Sequence, residues 1–228
     1  MSEILDCLSH APIFSKISEK DRSGLLERVR PRIYEKGHYL CWQEEIWLKA
    51  GFIVSGSAEW TMLSPDGRRQ MVFRLNACDV IWAHSLMDNL PMPASLEVKE
   101  PSSIYLWDAE IIKPIISRYP EALWDVSGVL MGYMRQVREI MYGFAFQPVA
   151  GRLARMLIEH YHPEVGKPIQ RTLTLEEMAE SVGTTKELIS RTLHRFADED
   201  IIQVKRMEFM FKDIDKLEQV AGGGTKLL

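Results

Sequence analysis

Thr174 to Phe196, TLEEMAESVGTTKELISRTLHRF, leaves room for little except two short helices around a tight turn. Thr174 and Glu177 have the spacing of a capping box, in which each side chain satisfies an orphan amide at a helix start. Ala179 lets a second helix cross closely, and Gly183 supplies a left-handed turn without steric cost. Thr185 is placed to cap the second helix. Along that helix Ile189, Leu193 and Phe196 point one way. Glu187, Ser190, Arg191 and His194 recur at i, i+3, i+4 and i+7 on the opposite face. This is the pattern of a helix-turn-helix whose second helix enters a major groove, although any amphipathic surface helix also carries a charged face. The segments 200–205 and 208–212 read as two short strands of an adjoining wing. Their turn, Arg206-Met207, lacks glycine, so an unusual shape or backbone strain at Arg206 is expected.

Charge limits what such a reader binds. The net charge is −4 and the pI about 5.9, which argue against a nonspecific nucleic-acid coat. From Gly151 to Lys212 there are ten Lys or Arg against ten Asp or Glu. A modest phosphate footprint is expected, assisted by helix N-termini and the hydroxyls of Thr184 and Thr185, with base contacts carrying the specificity. At 228 residues the chain is long enough for more than one domain. No window reaches transmembrane length, and MSEILDCLSHAP lacks a basic stretch before an apolar run, so no membrane association and a cytoplasmic location are expected. Cys7, Cys41 and Cys78 are scattered, with no CxxC pair. That argues against a disulfide framework, a zinc ribbon or a four-cysteine iron–sulfur site.

Upstream the periodicity changes twice. From Pro12 to Trp107 short β-rich runs (33–40, 47–54, 58–63, 70–75 and 104–107) alternate with turns at Lys36-Gly37, Ser55-Gly56 and Pro65-Asp66-Gly67, which suggests a jelly-roll-like barrel. A helix over 19–29 is expected before them. From Glu121 to Phe144, Leu123, Val126, Leu130, Tyr133, Val137, Ile140 and Phe144 recur at alternating intervals of three and four, an a/d repeat. A buried helix shows the same stripe. Arg135, Arg138 and Glu139 on the other side favour pairing with a second copy, which would set two reading helices about one DNA turn apart on a near-palindromic site. Gln147-Pro148 then opens a new helix to about His160, with Val149, Leu153, Met156 and Leu157 inward, and residues 143–147 form a hinge. The tail from Ala221 to Leu228 reads as flexible. The expected fold is α+β: a β-roll sensor domain (1–118), a dimerisation helix and hinge (119–146), and a winged helix-turn-helix domain (147–228).

This order of parts resembles the Crp/Fnr family of bacterial transcription regulators. The resemblance covers nearly the whole chain. It is most specific at GTTKELISRTLHRF, with support from IVSGSAEW, LSPDGRRQMV and VAGRLARMLIEH. It implies a homodimer on a palindromic operator, a sensory roll that orients the reading helices, and RNA polymerase as a partner. Glu187, Ser190 and Arg191 match the E-x-x-S-R pattern of the Fnr branch, which implies TTGA half-sites arranged as TTGA-N6-TCAA. The chemistry suits that assignment. Arg191 can donate bidentately to guanine, Glu187 can accept from cytosine N4, and Ser190 can lie against a thymine methyl. Lys186 and His194 flank the stripe, within reach of bases or phosphates.

The family's cyclic-nucleotide readers carry a G-E-L-(S/G) turn and then an Arg-Ser pair. The matching stretches here are Trp82-Ala83-His84-Ser85 and Pro91-Met92-Pro93-Ala94. Ala83 stands where the ribose-holding carboxylate is expected, and Pro93 where the phosphate arginine is expected. Val137-Arg138 replace the polar Thr-Ser pair that meets the base. An anion held there without its arginine suffers an uncompensated desolvation cost, so cyclic AMP is not the expected effector. The cysteine count excludes the four-cysteine cluster. Three sensory readings remain. His84 aligns with the haem-ligating histidine of the carbon-monoxide-sensing branch, with Trp82, Leu86 and Met87 as apolar surroundings. Cys41 or Cys78 can act as a redox thiol. A small effector in an apolar roll pocket, or no effector, is the third. Trp82, Ala83, His84, Met87, Val137 and Arg138 make up the candidate pocket, with no metal site unless His84 binds haem.

An enzyme on the roll would need a cluster such as H-x-H with a downstream Glu and a third His. His10, His38 and His84 do not have that spacing, and no G-x-S-x-G, P-loop or Rossmann pattern occurs. A ligand- or haem-carrying module without DNA-binding activity is the other rival.

Overall fold

A computed structural model describes residues 2–222. The chain runs through α1 (Ser2–His10), a 3₁₀ turn (Phe14–Lys16), α2 (Glu19–Arg28), β1 (Arg32–Tyr34), β2 (Tyr39–Cys41), β3 (Lys49–Leu63), β4 (Arg69–Leu75), β5 (Val80–Trp82), α3 (Ser85–Asp88), β6 (Ser95–Asp108), α4 (Ala109–Ile116) and α5 (Pro120–Phe146). Then follow α6 (Val149–Tyr161), β7 (Pro168–Gln170), α7 (Leu175–Val182), α8 (Lys186–Asp198), β8 (Ile202–Val204), β9 (Glu208–Phe211) and α9 (Ile214–Val220). Of the tail expected to be flexible, residues 223–228 lie outside the described residues. Two compact units divide inside α5, at Val137/Arg138, with Arg68–Gln70 grouped in the second. The division therefore falls within the helix, where the sequence suggested a separate segment over 119–146.

The first unit is an antiparallel roll with strand order β1-β6-β3-β4, in which β2 also pairs with β6 and β5 with β3. Its frame is the pairing of β3 with β6, from Lys49↔Asp108 to Thr61↔Ser95. The Ser55-Gly56 turn expected from sequence is instead a break in register within one 15-residue strand. Gly56 has φ +88, and a Cβ there would lie 2.7 Å from the Pro101 carbonyl oxygen, so the residue serves a close backbone approach. Strand β6 is also far longer than the expected run at 104–107. Phe14, Phe52 and Trp107 are fully buried at the centre, and the Trp107 indole donates to the Leu25 carbonyl at 2.9 Å. On another face Glu59, nearly buried, accepts from Arg74 at 2.8 Å, and the Lys99 ammonium lies 3.4 Å away.

The first half of α5 belongs to this core. Ala122 and Val126 are fully buried, and Val129, Leu130 and Tyr133 pack against the same cluster. Val126 and Tyr133 therefore face the chain's own roll, which corrects the a/d seam expected from periodicity. The apolar residues left exposed keep Leu123 and Val137 of that repeat and add Met134 and Met141, flanked by Trp124 and Met131. Ile140 is half-buried. Two further corrections concern the termini and the cysteines. Helix α1 had no sequence signal, and Cys7 on it is disulfide-bonded to Cys78, 71 residues away. Neighbouring spacing carries no trace of a pair so distant.

The second unit packs α6, α7, α8 and α9 around Leu153, Leu157, Met178, Ile189, Phe196 and Phe209. Pro148 caps α6 with φ −65 and ψ 159 rather than occupying its first turn. The wing is a three-stranded sheet, β7-β9-β8, whose first strand sequence reading missed. Arg206 does not have a positive φ; the left-handed residue is Asp200, φ 58, where α8 ends.

Candidate nucleic-acid interface and sensor site

Helix α7 begins with both halves of the capping box: the Glu177 amide donates to Thr174 Oγ1 at 3.1 Å, and the Thr174 amide to Glu177 Oε2 at 2.8 Å. It stops at Gly183, φ 70 and ψ 54, whose amide donates to the Ala179 carbonyl at 2.8 Å. Ala179 is buried, as a close helix crossing requires. Thr185 then caps α8 by accepting from the Leu188 amide at 3.4 Å. Ile189, Leu193 and Phe196 are buried. Lys186, Glu187, Arg191 and His194 are exposed, and Ser190 and Thr184 half-exposed. Burial of one face thus fixes the rotation of α8 and turns the polar stripe outward.

The electrostatics of the stripe favour an ionised acceptor beside a donor. The Glu187 carboxyl is held below its ordinary range by its own backbone amide and then by the Thr185 hydroxyl. Lys186 pairs with Glu176 of α7, which raises the ammonium and lowers the carboxyl. That pair ties the starts of the two helices together across the outer surface. Arg195, one turn beyond Arg191, was not singled out from sequence; it is exposed and lies 3.8 Å from Glu199. The wing tip adds exposed Lys205 and Arg206.

Sequence reading also missed Arg152 on α6. Its Nε donates to the Val182 carbonyl at 2.9 Å and Nη1 to the Gln147 carbonyl at 2.9 Å. The guanidinium stands 4.8 Å from the Phe144 ring centroid. One cation therefore satisfies the carbonyl end of α7 and the residue before α6, with Phe144 at the end of α5 beneath it. Phe144, expected in a seam between copies, lies over the Gly183 turn: a Cβ on Gly183 would be 2.3 Å from its ring. Only the GRLA run hints at this, and it does not reveal the partners.

In the roll, Trp82 and Ala83 are buried and His84 half-buried, whereas Met87 and Val137 are exposed. Arg138 is also exposed; it pairs with Glu139 and lies 5.7 Å from the Tyr142 ring. Met87 thus does not share the burial of Trp82 and Ala83. Aromatic side chains that were not anticipated stand near His84. Its ring is 6.2 Å from that of Tyr133, which stacks on Phe73 at 4.3 Å; Phe73 is 6.4 Å from Trp60, and Trp60 is 6.4 Å from Trp47. Within this neighbourhood the buried atoms Trp60 Nε1, Trp82 Nε1 and His84 Nδ1 make no hydrogen bond in the chain. Burial pushes the His84 imidazole down, with Asp88 partly opposing, and pushes the Tyr133 hydroxyl up with Asp79 adding to it. Among the described residues no group of three or more His, Cys, Asp or Glu is arranged to hold a metal ion, and no helix is long and apolar enough to cross a membrane.

The His84 shift has a measurable sign. Above about pH 6.5 the imidazole is neutral in both folded and unfolded chains and contributes no pH dependence. Below it the unfolded chain takes up a proton that the folded chain resists, so folded stability falls until the depressed folded value is passed. Wild-type Tm should therefore drop more between pH 7 and 5 than that of His84→Gln. Parallel Tm curves for the two proteins would show that the histidine is not held neutral.

Comparisons with known proteins agree with this arrangement. Residues 31–119 match the cyclic nucleotide-binding domain family, and residues 151–220 the Crp-like helix-turn-helix domain family. A CRP-like cAMP-activated global transcriptional regulator of Mycobacterium tuberculosis is 23% identical over 221 residues, covering 95% of this chain and 99% of that protein. The cyclic AMP receptor protein of Thermus thermophilus is 21% identical, covering 93% and 98%. Among solved structures, a CooA mutant from Carboxydothermus hydrogenoformans matches with a TM-score of 0.72 at 21% identity, covering 93% of this chain and 100% of that one. These relatives are regulators rather than enzymes. With a roll of the cyclic nucleotide-binding type and a Crp-like helix-turn-helix, the chain belongs to the Crp/Fnr family of DNA-binding transcription regulators.

Proposed function

We propose that the protein is a homodimer that reads a TTGA-N6-TCAA-like palindrome through Glu187, Ser190 and Arg191, under the control of an effector other than cyclic AMP. The carrying observation is the outward stripe on α8, opposite a fully buried face. Exposed Leu123, Met134, Val137 and Met141 on α5 support pairing along that helix. Ala83, fully buried, and Pro93, exposed, stand in place of a carboxylate and an arginine and support an effector without a cyclic phosphate. RNA polymerase is the further partner in this reading, and the cytoplasm its compartment. The test is fluorescence anisotropy on the palindromic duplex with a salt titration. Arg191→Ala should weaken binding by about 1–3 kcal/mol and relax selectivity at the guanine. Unchanged selectivity in that variant would refute the assignment, and a flat salt response would favour the carrier module.

A second reading concerns the sensor. His84 offers a buried nitrogen without an internal partner, kept neutral by burial, which suits a ligand to haem iron. In that case His84 would hold the iron, the group would supply diatomic-gas or redox chemistry, and Trp82 and Tyr133 would keep water away. A Soret band in freshly purified protein that is lost in His84→Ala supports this. A colourless preparation that takes up no added haem rejects it.

A further inference from the structure

The three cysteines divide into one inert thiol and one pair. Cys41 is buried, and burial pushes its thiol up to about 12, which removes it from thiolate chemistry. Cys7 and Cys78 are bonded to each other with their Cα atoms 5.9 Å apart. Cys7 is half-exposed and Cys78 exposed, so oxidants and thiols reach both. Cys78 also has φ +72, a backbone state that favours glycine, and its amide donates to the Ile53 carbonyl at 2.8 Å. The turn between β4 and β5 thus holds a thiol at a position where a residue without a side chain fits with least strain.

The bond ties together two parts of the roll. Helix α1 is otherwise held by buried Leu8 and partly buried Ile4 and Leu5. Just beyond it, the Ile13 amide donates to Asp125 of α5 at 3.1 Å. On the other side, Asp79, next to Cys78, acts on the Tyr133 hydroxyl, also on α5. We infer that Cys7 and Cys78 form a reversible dithiol–disulfide couple, oxidised by hydroperoxides, whose closure pins α1 between the β4–β5 turn and α5. The Cys78 thiolate attacks a peroxide oxygen; an S–O bond forms, the O–O bond breaks, and the departing oxygen takes up a proton and leaves as water from hydrogen peroxide or as an alcohol from an organic hydroperoxide. The Cys7 thiolate then attacks the sulfenic sulfur; the S–S bond forms and hydroxide leaves as water. Two electrons pass from the sulfurs to the peroxide, and exchange with a dithiol returns both thiols.

The test uses full-length protein, reduced with dithiothreitol, freed of reductant without air, and titrated with hydrogen peroxide. Mass spectrometry should find a loss of two hydrogen masses per chain, an intrachain Cys7–Cys78 cross-linked peptide, and a Cys41 that alkylates only after unfolding. Hydrogen exchange at α1 amides should slow on the order of tenfold on oxidation. Dithiothreitol should reverse both changes, Cys41→Ser should respond like wild type, and Cys7→Ser should not respond. Over-oxidation of Cys78 without a cross-link, disulfides between chains, or equal α1 exchange in the two forms would each overturn the inference. None of these measurements involves DNA, so they stand or fall separately from the operator assignment.

Discussion

Gly183→Ala is expected to abolish specific DNA binding while the sensor roll stays folded. Two costs coincide at this position. Its φ of +70 is a left-handed state that a Cβ disfavours, and that Cβ would lie 2.3–2.5 Å from the Phe144 ring. The strain of about 1–2 kcal/mol and the overpacking of about 1–3 kcal/mol together approach the margin by which a small unit stays folded. Withdrawal of Phe144 would give up its contact with the Arg152 guanidinium, which also donates to the Val182 carbonyl. Any relief therefore disturbs the end of α7, and with it the rotation of α8. Urea unfolding followed by circular dichroism should show an early transition that is absent in wild type, and anisotropy on the palindrome should show no specific complex. Gly166→Ala is the control. It has φ +74 but nothing within 4 Å of the added carbon, so it carries the strain alone and should bind nearly normally. Equal behaviour of the two variants would show that Phe144 does not constrain the turn.

Met134→Glu combined with Met141→Glu should convert the protein to a monomer and weaken operator binding by on the order of 100-fold, because the second half-site contact ceases to be intramolecular. Both methionines are 65% exposed in the single chain, on the stripe that α5 does not use for its own roll. In a twofold arrangement each introduced carboxylate meets its own copy across the axis, so repulsion adds to the lost apolar burial. Since neither side chain supports the core, Tm of the roll should change little. Sedimentation velocity reads the assembly state directly. A double variant that remains dimeric with unchanged DNA affinity would move the pairing surface away from this helix.

The reading helices were legible because their determinants are local. A capping box, one left-handed glycine and an apolar triplet lie within 23 residues and need no distant partner. Helix α5 was legible as a helix, but not in how it faces. A period of three and four looks the same whether the stripe meets the chain's own strands or a second copy, and only the roll decides that Val126 turns inward. The first two thirds of strand β6 escaped notice because Glu97, Lys99, Glu100, Pro101, Ser102 and Ser103 interrupt its apolar run; its pairing with β3 overrides that local preference. Gly56 read as a turn because a register break and a reversal use the same backbone state. Arg152 and the Cys7–Cys78 bond depend on partners 30 and 71 residues away, which no local pattern encodes.

The line of rings from Trp47 through Trp60 and Phe73 to Tyr133 gives the molecule a built-in optical gauge. Indole emission responds to nearby polarity and quenchers, so a compound that settles against this line of rings would change the emission without any added dye. A library of small molecules can then be screened on native protein by ultraviolet excitation alone.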